Sequence, residues 1–198
     1  MTQVYPTHDD TSGSPRVLVR KDADWPRIGG QELQEMLTIE SASLEDAPTM
    51  LDIQRRAFAE EGRRVGSLED GQQVPPLAES LESIIEHIQT QTALVARDDE
   101  RIVGAVRGIV TDQACVIRAL VVDIDYQGRG VGSSLLQALE RKLAQVSRFD
   151  LTTNMLMENN VTFYERHGYR LAEVTHHSQK RIPLAQMTKR VAPAISGA

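Results

Sequence analysis

The chain has 198 residues, 40% of them hydrophobic, which suits a single domain and supplies enough apolar surface for a sizeable core. A formal net charge of -6 argues against a nucleic-acid partner, which asks for a basic face, and is permissive for a cationic substrate. No apolar run approaches the ~20 residues of a membrane span, and the first residues lack a signal-peptide pattern, so a cytoplasmic protein is expected.

Residues 1–35 read as an N-terminal arm, mobile or docked: "THDDTSGSP" and "DWPRIGG" are rich in turn formers, with "RVLVR" between them as a short strand. A domain is expected over residues 36–191, opening on a strand in "MLTIESAS". Ser43 and Asp46 have the spacing of a capping-box variant, and "LEDAPTMLDIQRRAFAEE" continues as a helix. "GSLEDGQQVPP" is a loop, and "SLESIIEHIQ" puts Leu81, Ile84, Ile85 and Ile88 on one helical stripe. Three β-type runs follow, "TALVARD", "RIVGAVRGIVT" and "ACVIRALVV", with short polar links that imply an antiparallel meander. Cys115, the chain's one cysteine, lies in the third run and reads as packing; it excludes an internal disulfide and a thiolate metal cluster.

After the turn "QGRGVG", Val131, Leu135, Leu139, Leu143 and Val146 line one face of a long helix. "FDLTTNML" is a strand, and "NNVTFYERHG" is a short helix stopped by Gly168. "YRLAEVTHH" and "IPLAQMTKRV" pair as the last strands, and residues 192–198 are a loose tail. The order is β-α-α-β-β-β-α-β-α-β-β, a mixed α/β fold with an antiparallel first half.

A strand, a glycine-rich turn and a helix start make an anion site, because free N–H groups and the helix dipole point outward. The same glycines also suit a tight turn with no ligand. A Walker loop needs a lysine after the glycines, and here Gly132 is followed by Ser133 and Ser134. A dinucleotide fingerprint would use Gly128, Gly130 and Ser133, with Asp150 for the ribose. The antiparallel meander before the turn, and the about 65 residues after it, leave little room for a doubly wound sheet.

The longer pattern fits better. "QGRGVG" resembles the phosphate-binding Gln/Arg-x-x-Gly-x-Gly/Ala signature of the GNAT superfamily of acyl-CoA N-acyltransferases, and "NNVTFYERHGY" resembles its late Asn-x-x-x-Tyr-Glu-x-x-Gly-Tyr/Phe motif. The element order from Met36 to Val191 is also similar, about four-fifths of the chain; the arm before it is not covered. The resemblance implies acetyl-CoA as cosubstrate and an amine acceptor, with room for a homodimer. It implies that Gln127, Gly128, Arg129, Gly130, Val131, Gly132 and Ser133 cradle the pyrophosphate. It also implies that the backbone of Leu120, Val121 and Val122 binds pantetheine where the fourth strand splays from the fifth.

Tyr164 falls at the position of the family's proton donor to the departing thiolate, and Asn160 at that of an amide contacting the cofactor. A phenol with an ordinary pKa near 10 is protonated at neutral pH and can serve. Packing and helix capping are the plain alternatives for the two. The chain departs from the family in "CVIRALVV", which holds Arg118 and no carboxylate to act as general base. Glu60, Glu61, His176 and His177 are the candidates, beside a water chain. Asp123 and Asp125 would repel phosphate and are expected to face solvent or the acceptor side. The acceptor is expected between the first helix pair, the loop holding Glu69 and Asp70, and the last hairpin. A CoA-binding sensor without turnover is the alternative function.

Overall fold

A computed structural model describes residues 37–64, 77–157, 159–176 and 182–192. The arm over 1–35, Met36, Glu69 and Asp70, His177 and the end of the tail lie outside the described residues. The elements are β1 (Thr38–Ser41), α1 (Ala47–Arg64), α2 (Leu81–Thr90), β2 (Thr92–Asp98), β3 (Arg101–Thr111) and β4 (Ala114–Val122). They continue with α3 (Val131–Lys142), β5 (Arg148–Asn154), α4 (Asn160–Arg166), β6 (Arg170–His176) and β7 (Pro183–Arg190). Single 3-10 turns, Leu44–Asp46 and Ile124–Tyr126, precede α1 and the glycine turn.

One seven-stranded sheet runs in the order β1-β2-β3-β4-β5-β7-β6. All neighbours pair antiparallel except β4 and β5. Consecutive residues of the central strands face opposite layers. Leu94 and Ala96 of β2 join Leu135, Leu136 and Leu139 of α3 in one core, while Ala93 and Val95 join Met50, Leu51 and Ile53 of α1 and Ile84 of α2 in the other. The expected meander is present with the bounds its sequence runs predict. Asp46 accepts from the Ser43 N–H at 2.8 Å and the Ser43 hydroxyl at 3.0 Å, which fixes the entry into α1.

α3 lies hard against β3 because β3 carries glycine there. A Cβ on Gly108 would stand 2.9 Å from Cys115 Sγ, 3.1 Å from Leu139 Cδ1 and 3.2 Å from Leu143 Cδ1. Cys115 is fully buried at this contact, and burial, helped by the charge of Asp150, pushes its thiol up to about 12. It packs and does not react. The long helix is shorter than its apolar stripe: α3 ends at Lys142, Leu143 caps it, and Val146 follows in the turn. Both side chains are still core residues, so the stripe continues where the helix does not.

A charged cluster pins the entry of α2 to the sheet. Arg107 of β3, with a side chain only 3% exposed, makes a bidentate pair with Glu79 at 2.7 Å for each bond. It also donates to Gln54 Oε1 at 2.8 Å and contacts His87 Nδ1 at 2.7 Å. Burial works against the Glu79 charge, but hydrogen bonds from Arg107 and Gln54 and the charge of Arg107 hold its pKa down at about 2. The cluster went unread in the sequence; its signal is one arginine at a core position of "RIVGAVRGIVT".

Candidate active site

Two local features open the sheet in its middle. β4 pairs with β5 only over Ala114, Cys115 and Val116, opposite Arg148, Phe149 and Asp150, and no ladder joins the strands beyond. Across β4, its register with β3 shifts between Ala105 and Arg107, so Ala119 and Leu120 face the single residue Val106. Ala119 takes a φ of 47°, a left-handed conformation that disfavours a side chain by about 1–2 kcal/mol and marks a bulge. With the bulge in β4 and the ladder to β5 ended, residues 117–122 and 151–154 are left without strand pairing to each other, the opening of a cleft in the sheet.

The glycine turn closes one end of this cleft. Gly128 and Gly130 take φ of 74° and 88°, which lets the chain swing from the 3-10 turn into α3. Gly130 stands at the N-cap of α3, where the N–H groups of the first helical turn have no partner within the helix. Val131 is buried in the core and offers only its backbone, as does Val121, whose side chain packs against the α1 layer. Leu120, Val122, Gly132 and Ser133 are half-buried at the cleft. Gln127 donates from Nε2 to the Val122 carbonyl at 3.2 Å.

Arg129 stacks its guanidinium 5.4 Å from the centre of the Tyr126 ring, and Arg101 stands 5.3 Å from the same ring. The Tyr126 hydroxyl donates to Asp98 at 2.6 Å; burial, with Asp98 beside it, pushes this phenol up to about 12. Asp123 corrects an expectation. It does not face solvent: it is 3% exposed, it accepts from the Asp125 N–H, and Arg56 and Arg101 clamp it at 3.3 and 3.0 Å. Neutralised there, it does not oppose a phosphate. Asp125 is exposed, as expected.

α4 forms the other wall. Phe163 packs toward Gly132, where a Cβ would sit 3.6 Å from its Cζ, so the starts of α3 and α4 approach each other. Tyr164 is held edge-on between Phe163 and Tyr169, with ring centres 5.0 and 5.8 Å away. The hydroxyls of Tyr126 and Tyr169 each bind a carboxylate, the latter Glu140 at 2.8 Å. The Tyr164 hydroxyl has no hydrogen-bond partner among the described residues. Burial first, and the charge of Glu61 second, raise its pKa above the ordinary phenol value. Asn160 is the first residue of α4 rather than its cap, a position held by Asn159. Its amide binds no described side chain.

The base candidates separate. Glu60 is spent in surface pairs with Arg63 at 2.6 Å and Arg64 at 3.0 Å. His176 is exposed at the end of β6. Glu61 is half-buried and accepts a hydrogen bond from Asn154 Nδ2 at 3.0 Å, and its charge reaches Tyr164. Asn154 was missed in the sequence, where nothing sets it apart.

A helix start behind a glycine turn, a cation beside it and strand backbone that lacks a ladder partner among the described residues fit an extended ligand that ends in phosphates. Comparison with known proteins points to the same ligand class. A family model for the acetyltransferase (GNAT) domain matches residues 89–171. The uncharacterized N-acetyltransferase YjcF of Bacillus subtilis is 32% identical over 111 residues, 56% of this chain and 74% of that protein. The ribosomal-protein-S18-alanine N-acetyltransferase of Escherichia coli superposes with a TM-score of 0.66 at 19% identity, covering 82% of this chain and 99% of that one. The PaiA N-acetyltransferase of Thermoplasma acidophilum, solved in complex with coenzyme A, gives 0.62 at 19% identity, covering 78% and 99%.

Proposed function

The chain belongs to the GNAT family of acyl-CoA-dependent acetyltransferases, and on that premise we propose that it moves an acetyl group from acetyl-CoA directly to a primary amine of a small molecule or protein. The observation that carries this reading is the parting of β4 from β5 between the glycine turn and Tyr164, whose hydroxyl has no partner among the described residues.

Each part has a task. The backbone from Gln127 to Ser133 receives the pyrophosphate, and Arg129 adds a positive charge beside it. Leu120, Val121 and Val122 present strand backbone to the amide-bearing arm of the thioester, and an N–H there polarises the thioester oxygen. Asn160 offers its side-chain amide to the same arm. Tyr164 donates its proton to the departing thiolate; its raised pKa keeps it protonated throughout the neutral range, the state a donor needs. The acceptor enters from the side of α1 and the β6–β7 hairpin. Among the described residues no helix is long and apolar enough to cross a membrane, and a cytoplasmic setting suits a chain that draws on acetyl-CoA.

The test is thiol release from acetyl-CoA against a panel of primary amines, with acetyl-CoA affinity measured alongside. Binding with release for at least one amine supports the reading. Tight binding with no release for any amine favours a sensor and overturns it.

A further inference from the structure

A proton donor for the thiolate leaves half of the chemistry unassigned. Primary amines are mostly protonated near neutral pH, and the ammonium must lose a proton before its nitrogen can attack. β4 supplies no carboxylate for this, and its Arg118 is exposed.

Glu61, in the last turn of α1, differs from most of the carboxylates that leave water; Asp98, which also meets no cation among the described residues, is taken up by the Tyr126 hydroxyl at 2.6 Å. Asp46 meets Arg97, Glu79 meets Arg107, Asp123 meets Arg56 and Arg101, and Glu140 meets Lys189. Glu61 meets no cation among the described residues. Its single hydrogen bond there comes from the neutral amide of Asn154, to Oε1. That amide is itself fixed in orientation, because its Oδ1 accepts the Leu156 N–H at 2.9 Å and so leaves the NH2 group turned to Glu61. The second carboxylate oxygen, Oε2, has no described partner.

We infer that Glu61 accepts the proton of the acceptor ammonium, and that Asn154 is the positioning residue that aims it. The inference rests on the acetyl-transfer reading above. The ammonium gives one proton to the Glu61 carboxylate, and the freed lone pair forms the C–N bond at the thioester carbonyl. The C–S bond then breaks as the carbonyl reforms. The thiolate takes the Tyr164 proton, and the second nitrogen proton returns to the tyrosinate. Glu61 later passes its proton to water. The net reaction is ammonium plus thioester to amide, thiol and one proton.

Both ends of the transfer are coupled. Burial raises the Glu61 pKa while the Asn154 hydrogen bond pulls it down, and the Glu61 charge raises the Tyr164 phenol. Protonating Glu61 removes that charge, so Tyr164 becomes a better acid at the moment the thiolate needs its proton. The other charged groups nearby are engaged elsewhere. Glu60 pairs with Arg63 and Arg64 on α1, Arg107 and His87 face Glu79, and Arg118 of β4 points outward. β5 contributes the neutral Asn154, and α4 contributes Tyr164.

The test is acetylation of spermidine, kanamycin and an alanyl peptide by the full chain, comparing wild type, Glu61→Gln and Asn154→Ala from about pH 6 to about pH 10. Acetyl-CoA affinity and thermal melting are measured on each protein to separate folding from chemistry. Glu61→Gln is expected to keep acetyl-CoA affinity and lose roughly 10²–10⁴-fold in kcat/KM near neutral pH. The loss closes as pH rises and the amine becomes free base. Asn154→Ala moves the acid limb of kcat/KM to higher pH, since the bond it removes holds the Glu61 pKa down. A structural role would produce neither pH signature. An active wild type with Glu61→Gln within about twofold, a loss equal at every pH, or an unmoved acid limb in Asn154→Ala overturns the inference alone. A wild type that releases no thiol with any of the three amines overturns the acetyl-transfer reading, and this inference with it.

Discussion

Replacing Glu79 by Gln keeps the shape of the Arg107 cluster and removes its negative charge. The structure sets the size of the effect. Glu79 falls from an ordinary 4.5 to about 2. That is a difference of about 2.5 pH units, and at about 1.36 kcal/mol per unit it amounts to roughly 3 kcal/mol. Removing one partner of a buried pair typically costs about 3–5 kcal/mol, in the same range. For a chain of this size the melting temperature should fall by roughly 6–12 °C. The pH dependence follows from the depressed carboxylate: its contribution is complete above the unfolded value of 4.5 and is lost as pH falls toward about 2. Urea unfolding of wild type and Glu79→Gln should therefore differ by roughly 3 kcal/mol at neutral pH and by about 1 kcal/mol near pH 3. A difference below about 1 kcal/mol at neutral pH, or one that ignores pH, would show that water screens the cluster and that the burial argument fails.

Tyr164→Phe should lower turnover by about 10²–10⁴-fold while acetyl-CoA affinity stays within about twofold, as read by steady-state rates and calorimetry. Gly108→Ala should destabilise by about 1–3 kcal/mol in urea unfolding, because the new methyl meets Cys115, Leu139 and Leu143 at 2.9–3.2 Å; Cys115→Ala in the same chain should recover part of the loss. Arg129→Ala should weaken acetyl-CoA binding by about threefold to tenfold at low salt, and the gap should shrink as salt rises.

The meander was legible because three β-type runs with two-residue links admit few other folds, and β2, β3 and β4 keep the bounds of those runs. The glycine turn was legible because Gly128 and Gly130 occupy conformations that other residues resist. The end of α3 was not. Leu143 and Val146 are buried by a turn, and an apolar period cannot tell a turn from one more helical coil. Asp123 was misread for a related reason: its neutralising partners Arg101 and Arg56 are 22 and 67 positions away, and nothing local announces them. Asn154 was invisible, because its importance lies in what it aims at and not in what it is. Local chemistry can be read from neighbours in the chain, whereas electrostatic pairing across the sheet needs the fold.

The parting of β4 and β5 has a consequence beyond the active site. Only three rungs hold the four-stranded and three-stranded halves of the sheet together. A ligand that hydrogen-bonds to both exposed edges would complete the ladder, and so would act as a noncovalent eighth strand. By mass action such a ligand at about a hundred times its Kd adds about 2.7 kcal/mol to the folded state. The resistance of this chain to unfolding would then track the supply of its own cosubstrate, rising in cells rich in thioester and falling when the pool is drained.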